Sequence, residues 1–187
     1  NSLGSMPVNR ENFTATLLSS GKVLVAGGSD SNSYNYFAPT EVYDPETGTW
    51  TATGELTSPR EKHTATLLTS GKVLVVGGYA MGALVHPEVY DPETETWTPT
   101  GTMSQPRDRH RATLLASGKV LVVGGIDAAP VMLTELYDPV TGNWAPAGEI
   151  GGYAYYEGHT ATLLRSGQVL VTGGNHNASA GTLLYDP

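Results

Sequence analysis

The sequence predicts an all-β protein assembled from four copies of one unit, and three observations carry that expectation. Phe13-Thr-Ala-Thr-Leu-Leu18 returns as His63-Thr-Ala-Thr-Leu-Leu68, His110-Arg-Ala-Thr-Leu-Leu115 and His159-Thr-Ala-Thr-Leu-Leu164. In every copy a Gly-Gly pair begins 14 positions later, at Gly27, Gly77, Gly124 and Gly173. A Tyr-Asp-Pro triplet then follows at Tyr43, Tyr90, Tyr137 and Tyr185, spaced by 47, 47 and 48 residues, and the first three are followed at seven positions by Trp50, Trp97 and Trp144. A repeat of this length denotes a solenoid, an array or a propeller.

Each element of the unit has a local cause. Lys22-Val-Leu-Val-Ala26 and its counterparts are strand-length runs rich in β-branched residues and bounded by glycine. The Ser-Gly step before Lys22 suits a tight hairpin, because Gly reaches positive φ without steric cost. Asp44-Pro-Glu-Thr-Gly48 and Asp138-Pro-Val-Thr-Gly142 read as turns in which Pro presets φ and removes a ladder donor, ending the strand. Four strands per unit result, at about 13–18, 22–28, 39–44 and 49–54 in the first. No segment sustains a 3.6-residue period, so almost no helix is expected.

The Gly-Gly pair, the Tyr and the Trp after six intervening residues, in units near 50 residues, resemble the kelch repeat. The wording of the strands looks like that of bacterial kelch proteins and of the galactose-oxidase-like superfamily. The resemblance spans the whole chain. It implies a kelch-type β-propeller, with blades of four antiparallel strands around a channel. The repeats fall at about 10–55, 60–104, 107–150 and 156–187 within one domain or partial propeller, the last blade lacking its outer strand unless residues 1–6 supply it. Three arrangements stay open: a window cut from a larger ring, a closed four-bladed ring, or self-association through open blade faces. An open ring would leave bare on the order of 500 Å² of apolar surface per face, which at ~25 cal/mol/Å² sums to at most about 25 kcal/mol. Residue 1 is Asn rather than Met, which suggests a processed or cut chain.

Composition narrows the function classes. The 187 residues carry 10 basic and 18 acidic side chains, a net charge of −8, which argues against binding a nucleic-acid backbone. With 0 Cys, disulfides, thiolate metal sites and cysteine nucleophiles are excluded together. So is, within this chain, the Tyr–Cys cross-link on which the copper site of galactose oxidase depends. No apolar run approaches the ~18–20 residues of a membrane helix. No cofactor is expected.

The candidate site residues divide by repetition. The Gly-Gly pairs lack the Lys-Ser/Thr of a phosphate loop, and the close approach of an aromatic ring or a neighbouring backbone explains them better. The repeated Tyr and Trp suit packing between blades. His63, His110 and His159 open the strand that the resemblance places innermost and are weak candidates for a metal; Phe13 at the same place shows that an apolar ring suffices. Arg10, Arg60 and Arg107 recur three residues earlier, with Tyr156 in the fourth unit. They read either as a basic ring at the channel mouth or as partners of the recurring Glu41, Glu88 and Glu135, which give way to Leu183 in that same fourth unit. Lys62, Arg109 and Arg111 have no recurring acidic counterpart and are expected to be free.

The loops after Gly-Gly vary most, and a constant scaffold with variable loops is how recognition is usually carried. By resemblance, these loops and the Arg-bearing loop share one face. The expected ligand-binding rim comprises Asp30, Tyr79, Asp127, Asn175, His176, Arg60, Arg107, Arg109 and Tyr156. The function this implies is non-catalytic recognition of a protein, peptide or glycan partner, with no catalytic residues of its own. The alternative is the propeller portion of a carbohydrate-active enzyme of the oxidase or sialate-isomerase type, its catalytic residues partly elsewhere. A secreted or cell-surface bacterial setting is also implied by the resemblance.

Overall fold

The computed structural model describes residues 6–30, 35–84, 86–129, 131–149, 158–174 and 182–187. Among these it is all-β and without helix. Blade 1 contains β1 (Thr14–Leu17), β2 (Val23–Ala26), β5 (Thr40–Asp44) and β6 (Thr49–Thr53), with a small hairpin of β3 (Ser29–Asp30) and β4 (Asn35–Tyr36) inserted after β2. Blade 2 contains β7 (Thr64–Leu67), β8 (Val73–Val76), β9 (Glu88–Asp91) and β10 (Thr96–Pro99). Blade 3 contains β11 (Arg111–Leu114), β12 (Val120–Val123), β13 (Leu133–Asp138) and β14 (Asn143–Glu149). Blade 4 contains β15 (Thr160–Leu163), β16 (Val169–Thr172) and β17 (Thr182–Tyr185). Each blade is an antiparallel meander in sequence order. The strands fall within two residues of their expected bounds; the β3–β4 hairpin was read as loop, because its polar run carries no strand pattern.

The innermost strands of successive blades lie side by side, β1 by β7, β7 by β11 and β11 by β15. Strand alternation then gives each blade two apolar faces. Leu18, Leu24 and Ala26 on the rear of blade 1 pack against Val73, Val75, Tyr90 and Trp97 on the front of blade 2. Leu68, Leu74 and Val76 of blade 2 meet Val120, Val122 and Tyr137 of blade 3 in the same way. Leu115, Leu121 and Val123 of blade 3 meet Val169 and Val171 of blade 4. The repeated aromatics work as expected. Tyr43–Trp50, Tyr90–Trp97 and Tyr137–Trp144 face one another in register at 5.0, 5.1 and 5.1 Å. The Tyr hydroxyls reach back to the preceding blade, Tyr90 to Thr53 at 2.6 Å and Tyr137 to Thr100 at 3.0 Å.

The Gly-Gly pairs sit where backbones converge. A Cβ on Gly27 would lie 2.4 Å from Arg60 O and 2.7 Å from His63 Cε1 of the next blade. On Gly77 it would lie 2.3 Å from Arg107 O and 2.8 Å from His110 Cε1. These contacts leave no room for any side chain, and both residues also have positive φ.

Candidate functional site

Two kinds of cation occupy the loops that lead into the innermost strands of blades 2 and 3. The first is the recurring Arg. Arg60 Nη2 lies 2.6 Å from Glu88 Oε1, and Arg107 Nη2 lies 2.7 Å from Glu135 Oε1. Arg60 Nη1 donates to Gly77 O and His86 O at 3.0 Å each, while Arg107 Nη1 donates to Gly124 O at 3.1 Å and Leu133 O at 2.9 Å. The second oxygen of each Glu accepts a backbone N–H from the incoming loop, Thr57 N to Glu88 at 2.7 Å and Ser104 N to Glu135 at 2.8 Å. Arg10 repeats the scheme with Glu41 at a looser 3.3 Å. Burial pulls the pKa of Arg60 and Arg107 down while the Glu partner pulls it back up.

Arg60 and Arg107, expected on the binding rim, are fully buried. They are spent on the Glu and on the loop carbonyls of their own blade. The simultaneous loss of Arg and Glu in the fourth unit was the sequence signal of that pairing.

The second kind lies two residues on. Asn12, Lys62 and Arg109 adopt φ of 55°, 54° and 55°, and Gly158 holds the equivalent place in the fourth blade with φ of 73°. Their backbones are linked in sequence, Lys62 N donating to Asn12 O at 3.0 Å and Arg109 N to Lys62 O at 3.1 Å. Together they line a mouth cavity of about 600 Å³ with His63, His110, Arg111 and Gly174.

Lys62, Arg109 and Arg111 are thus three cations in a described lining that holds no carboxylate. They are not free, contrary to the expectation from sequence. Lys62 Nζ lies 2.6 Å from Glu61 Oε1 and Arg109 Nε lies 3.5 Å from Asp108 Oδ2. Arg111 Nε donates to His159 O at 2.8 Å. The acids are chain neighbours of the cations and sit behind them, buried, Glu61 also accepting from Ser29 Oγ at 2.5 Å and Asn12 Nδ2 at 2.9 Å. Lys62 and Arg109 keep 28% and 41% of their side chains exposed. The column Asn–Lys–Arg–Gly was the available sequence signal: Asn and Gly mark a left-handed position, and two cations share it.

The three histidines are buried. His63 Nε2 shares a hydrogen bond of 2.8 Å with Thr14 Oγ1, and His110 Nε2 shares one of 2.8 Å with Thr64 Oγ1, each crossing from one blade to the one before. In the third blade Arg111 replaces that Thr, and His159 Nε2 donates instead to Val123 O at 3.1 Å. Burial, then the charge of Arg60, pushes His63 down to about 3. His110 lies well below its ordinary value through burial and then Arg107. Among the described residues no three His or carboxylate side chains converge as a metal site would require.

Of the other expected rim residues, Tyr79 stands beside the mouth. Its ring meets Tyr36 edge-on at 5.9 Å and lies 6.0 Å from Lys62 Nζ. Asp30 belongs to the β3–β4 hairpin, whose Ser29 end bridges to Glu11, and Asp127 is exposed on the corresponding loop of blade 3. Tyr156, Asn175 and His176 lie outside the described residues. Sequence reasoning left Asn12 out of the site.

A family model described as the KLHDC2/KLHL20/DRC7 Kelch-repeats domain matches residues 1–174. No curated protein matches the chain. The match extends over most of the sequence and agrees with the meander blades, the Gly-Gly contacts and the Tyr–Trp pairs described above; the chain belongs to the kelch-repeat family.

Proposed function

We propose that the chain is a non-catalytic recognition module that holds an acidic segment of a protein or peptide partner at the channel mouth. Kelch propellers are commonly used in protein binding. One observation supports the anionic class. In a molecule of net charge −8, the described mouth lining presents Lys62, Arg109 and Arg111 and no carboxylate. Two of these cations occupy left-handed backbone, which costs a side chain roughly 1 kcal/mol and which glycine occupies free of strain in the fourth blade. Strain of this kind gathers at functional positions. Tyr79, Tyr36, Asp30 and Asp127 form the surrounding rim, and Tyr156, Asn175 and His176 belong to the same loop set in the repeat.

The test is Lys62→Gly with Arg109→Gly. These changes remove two mouth charges at positions whose backbone suits glycine, and circular dichroism of the double variant separates loss of binding from loss of fold. Titrated calorimetrically with a tetra-glutamate peptide, the wild type is expected to bind in low salt and the double variant at least about tenfold more weakly. Equal affinity for both, or equal binding of a neutral tetra-glutamine peptide, refutes the reading.

A further inference from the structure

The outermost strand of a blade shows a row of backbone donors and acceptors to solvent, and such an edge pairs with another strand unless something blocks it. In blades 2 and 3 something does. β10 ends on Pro99, β14 carries Pro146, and the β14 ladder also shifts register opposite Leu133 and Glu135. In β6 the same position is held by Ala52, which pairs with Glu41 as Pro99 pairs with Glu88 and Pro146 with Glu135. Pro has no N–H, so the ladder needs none there, and the N–H of Ala52 points away from β5. Ala52 is exposed, and β6, Thr49-Trp-Thr-Ala-Thr53, contains no charged residue. Two residues on, on the same side of the chain, Gly54 N already donates to Glu95 O of blade 2 at 3.1 Å.

β6 is also one wall of a groove of about 670 Å³ between blades 1 and 2, and the Asp91-Pro-Glu-Thr-Glu95 turn lies across from it. Lys22 and Lys72 line this groove but are matched by Asp44 and Asp91, at 3.1 and 2.9 Å. Glu93 and Glu95 are exposed and, among the described residues, make no ion pair, so the groove carries a surplus of acid. Glu46 and Glu55, both exposed, flank β6 in the chain. We propose that this edge takes an extended basic segment of a partner protein as a fifth strand of blade 1. Backbone pairing with β6 holds the segment, and Lys or Arg at alternate positions meets Glu93 and Glu95. The charge of the groove selects a basic segment over an acidic one. The groove shares no lining residue with the mouth cavity, so the inference is independent of the reading given to the mouth.

The test is calorimetric titration of the whole chain, in low salt, with the peptide acetyl-Lys-Val-Lys-Val-Lys-amide. The wild type is expected to bind it and to leave acetyl-Glu-Val-Glu-Val-Glu-amide unbound. Ala52→Pro installs the residue of the sister strands, so circular dichroism is expected to show an intact fold while the basic peptide binds about tenfold more weakly. Glu93→Gln with Glu95→Gln is expected to weaken binding and to remove most of its salt dependence. A copy of the basic peptide N-methylated throughout its backbone keeps the charges, cannot pair as a strand, and is expected not to bind. Absence of binding by the wild type overturns the proposal, as does equal affinity for the acidic peptide. Undiminished binding by Ala52→Pro or of the N-methylated peptide overturns it too; if Ala52→Pro misfolds, the N-methylated peptide on the wild type decides.

Discussion

Arg107 and Arg109 stand two residues apart on one loop, carry the same charge and meet opposite fates. Arg107 is withdrawn from water and held by Glu135 and two carbonyls, while Arg109 remains exposed at the channel mouth. Arg60 and Lys62 repeat the contrast one blade earlier. The left-handed turn at the second position accounts for it. It reverses the chain just after the buried Arg and turns the next side chain toward the mouth. In blades 2 and 3 the scaffold thus spends one cation on joining the loop to the sheet and leaves another partly exposed at the mouth.

The largest expected effect breaks the buried member. Arg107→Ala leaves Glu135 buried without its charge partner, and a loss of about 3–5 kcal/mol is expected in urea unfolding. Arg109→Ala, by contrast, is expected to change stability by less than about 0.5 kcal/mol. A similar cost for both would erase the distinction.

Acid exposes a second consequence of the same burial. An unfolded His titrates near ~6.5, whereas folded His63 is held to about 3 by burial and by Arg60. The unfolded chain therefore takes up a proton that the folded chain refuses. Stability is full above about pH 6.5 and declines as the pH falls toward 3, by about 2 kcal/mol from His63 alone at pH 5. His110 and His159, also held down by burial, act in the same direction. His63→Phe, adopting the residue found at Phe13, is expected to flatten the melting temperature between pH 7 and pH 5. An unchanged slope would show that His63 is protonated in the fold.

The smallest effect sharpens the comparison. Glu95 has φ of 57° at a turn where Gly48 and Gly142 stand in the neighbouring blades. Glu95→Gly is expected to stabilise the chain by about 1 kcal/mol in thermal unfolding, whereas in Lys62→Gly the same relief is offset by the loss of the partner of buried Glu61. Only Lys62→Gly should weaken the acidic peptide. If both substitutions leave the peptide unaffected, the strain at Lys62 has no bearing on recognition.

Much of the fold was legible because every turn, strand and aromatic pair is written several times. Val73, Val120 and Val169 are β-branched and buried, Asp44 accepts the Glu46 N–H at 2.9 Å in its turn, and the joint absence of Arg and Glu in the fourth unit announced their pairing. The site was less legible. Sequence placed Arg60 and Arg107 on the rim, because a recurring Arg near a loop looks the same whether its guanidinium meets water or a buried carboxylate.

The sequence by itself determined the all-β repeat, the order of strands and the residues of each blade junction, since these follow from local periodicity, turn chemistry and repetition. Only the tertiary structure decided which cation of each loop is buried, which acids stand behind the mouth, and where the glycines meet the next blade. Those outcomes depend on desolvation and on contacts between segments 17 to 49 residues apart, such as Arg60 to Gly77 and Thr14 to His63, and no local pattern encodes them.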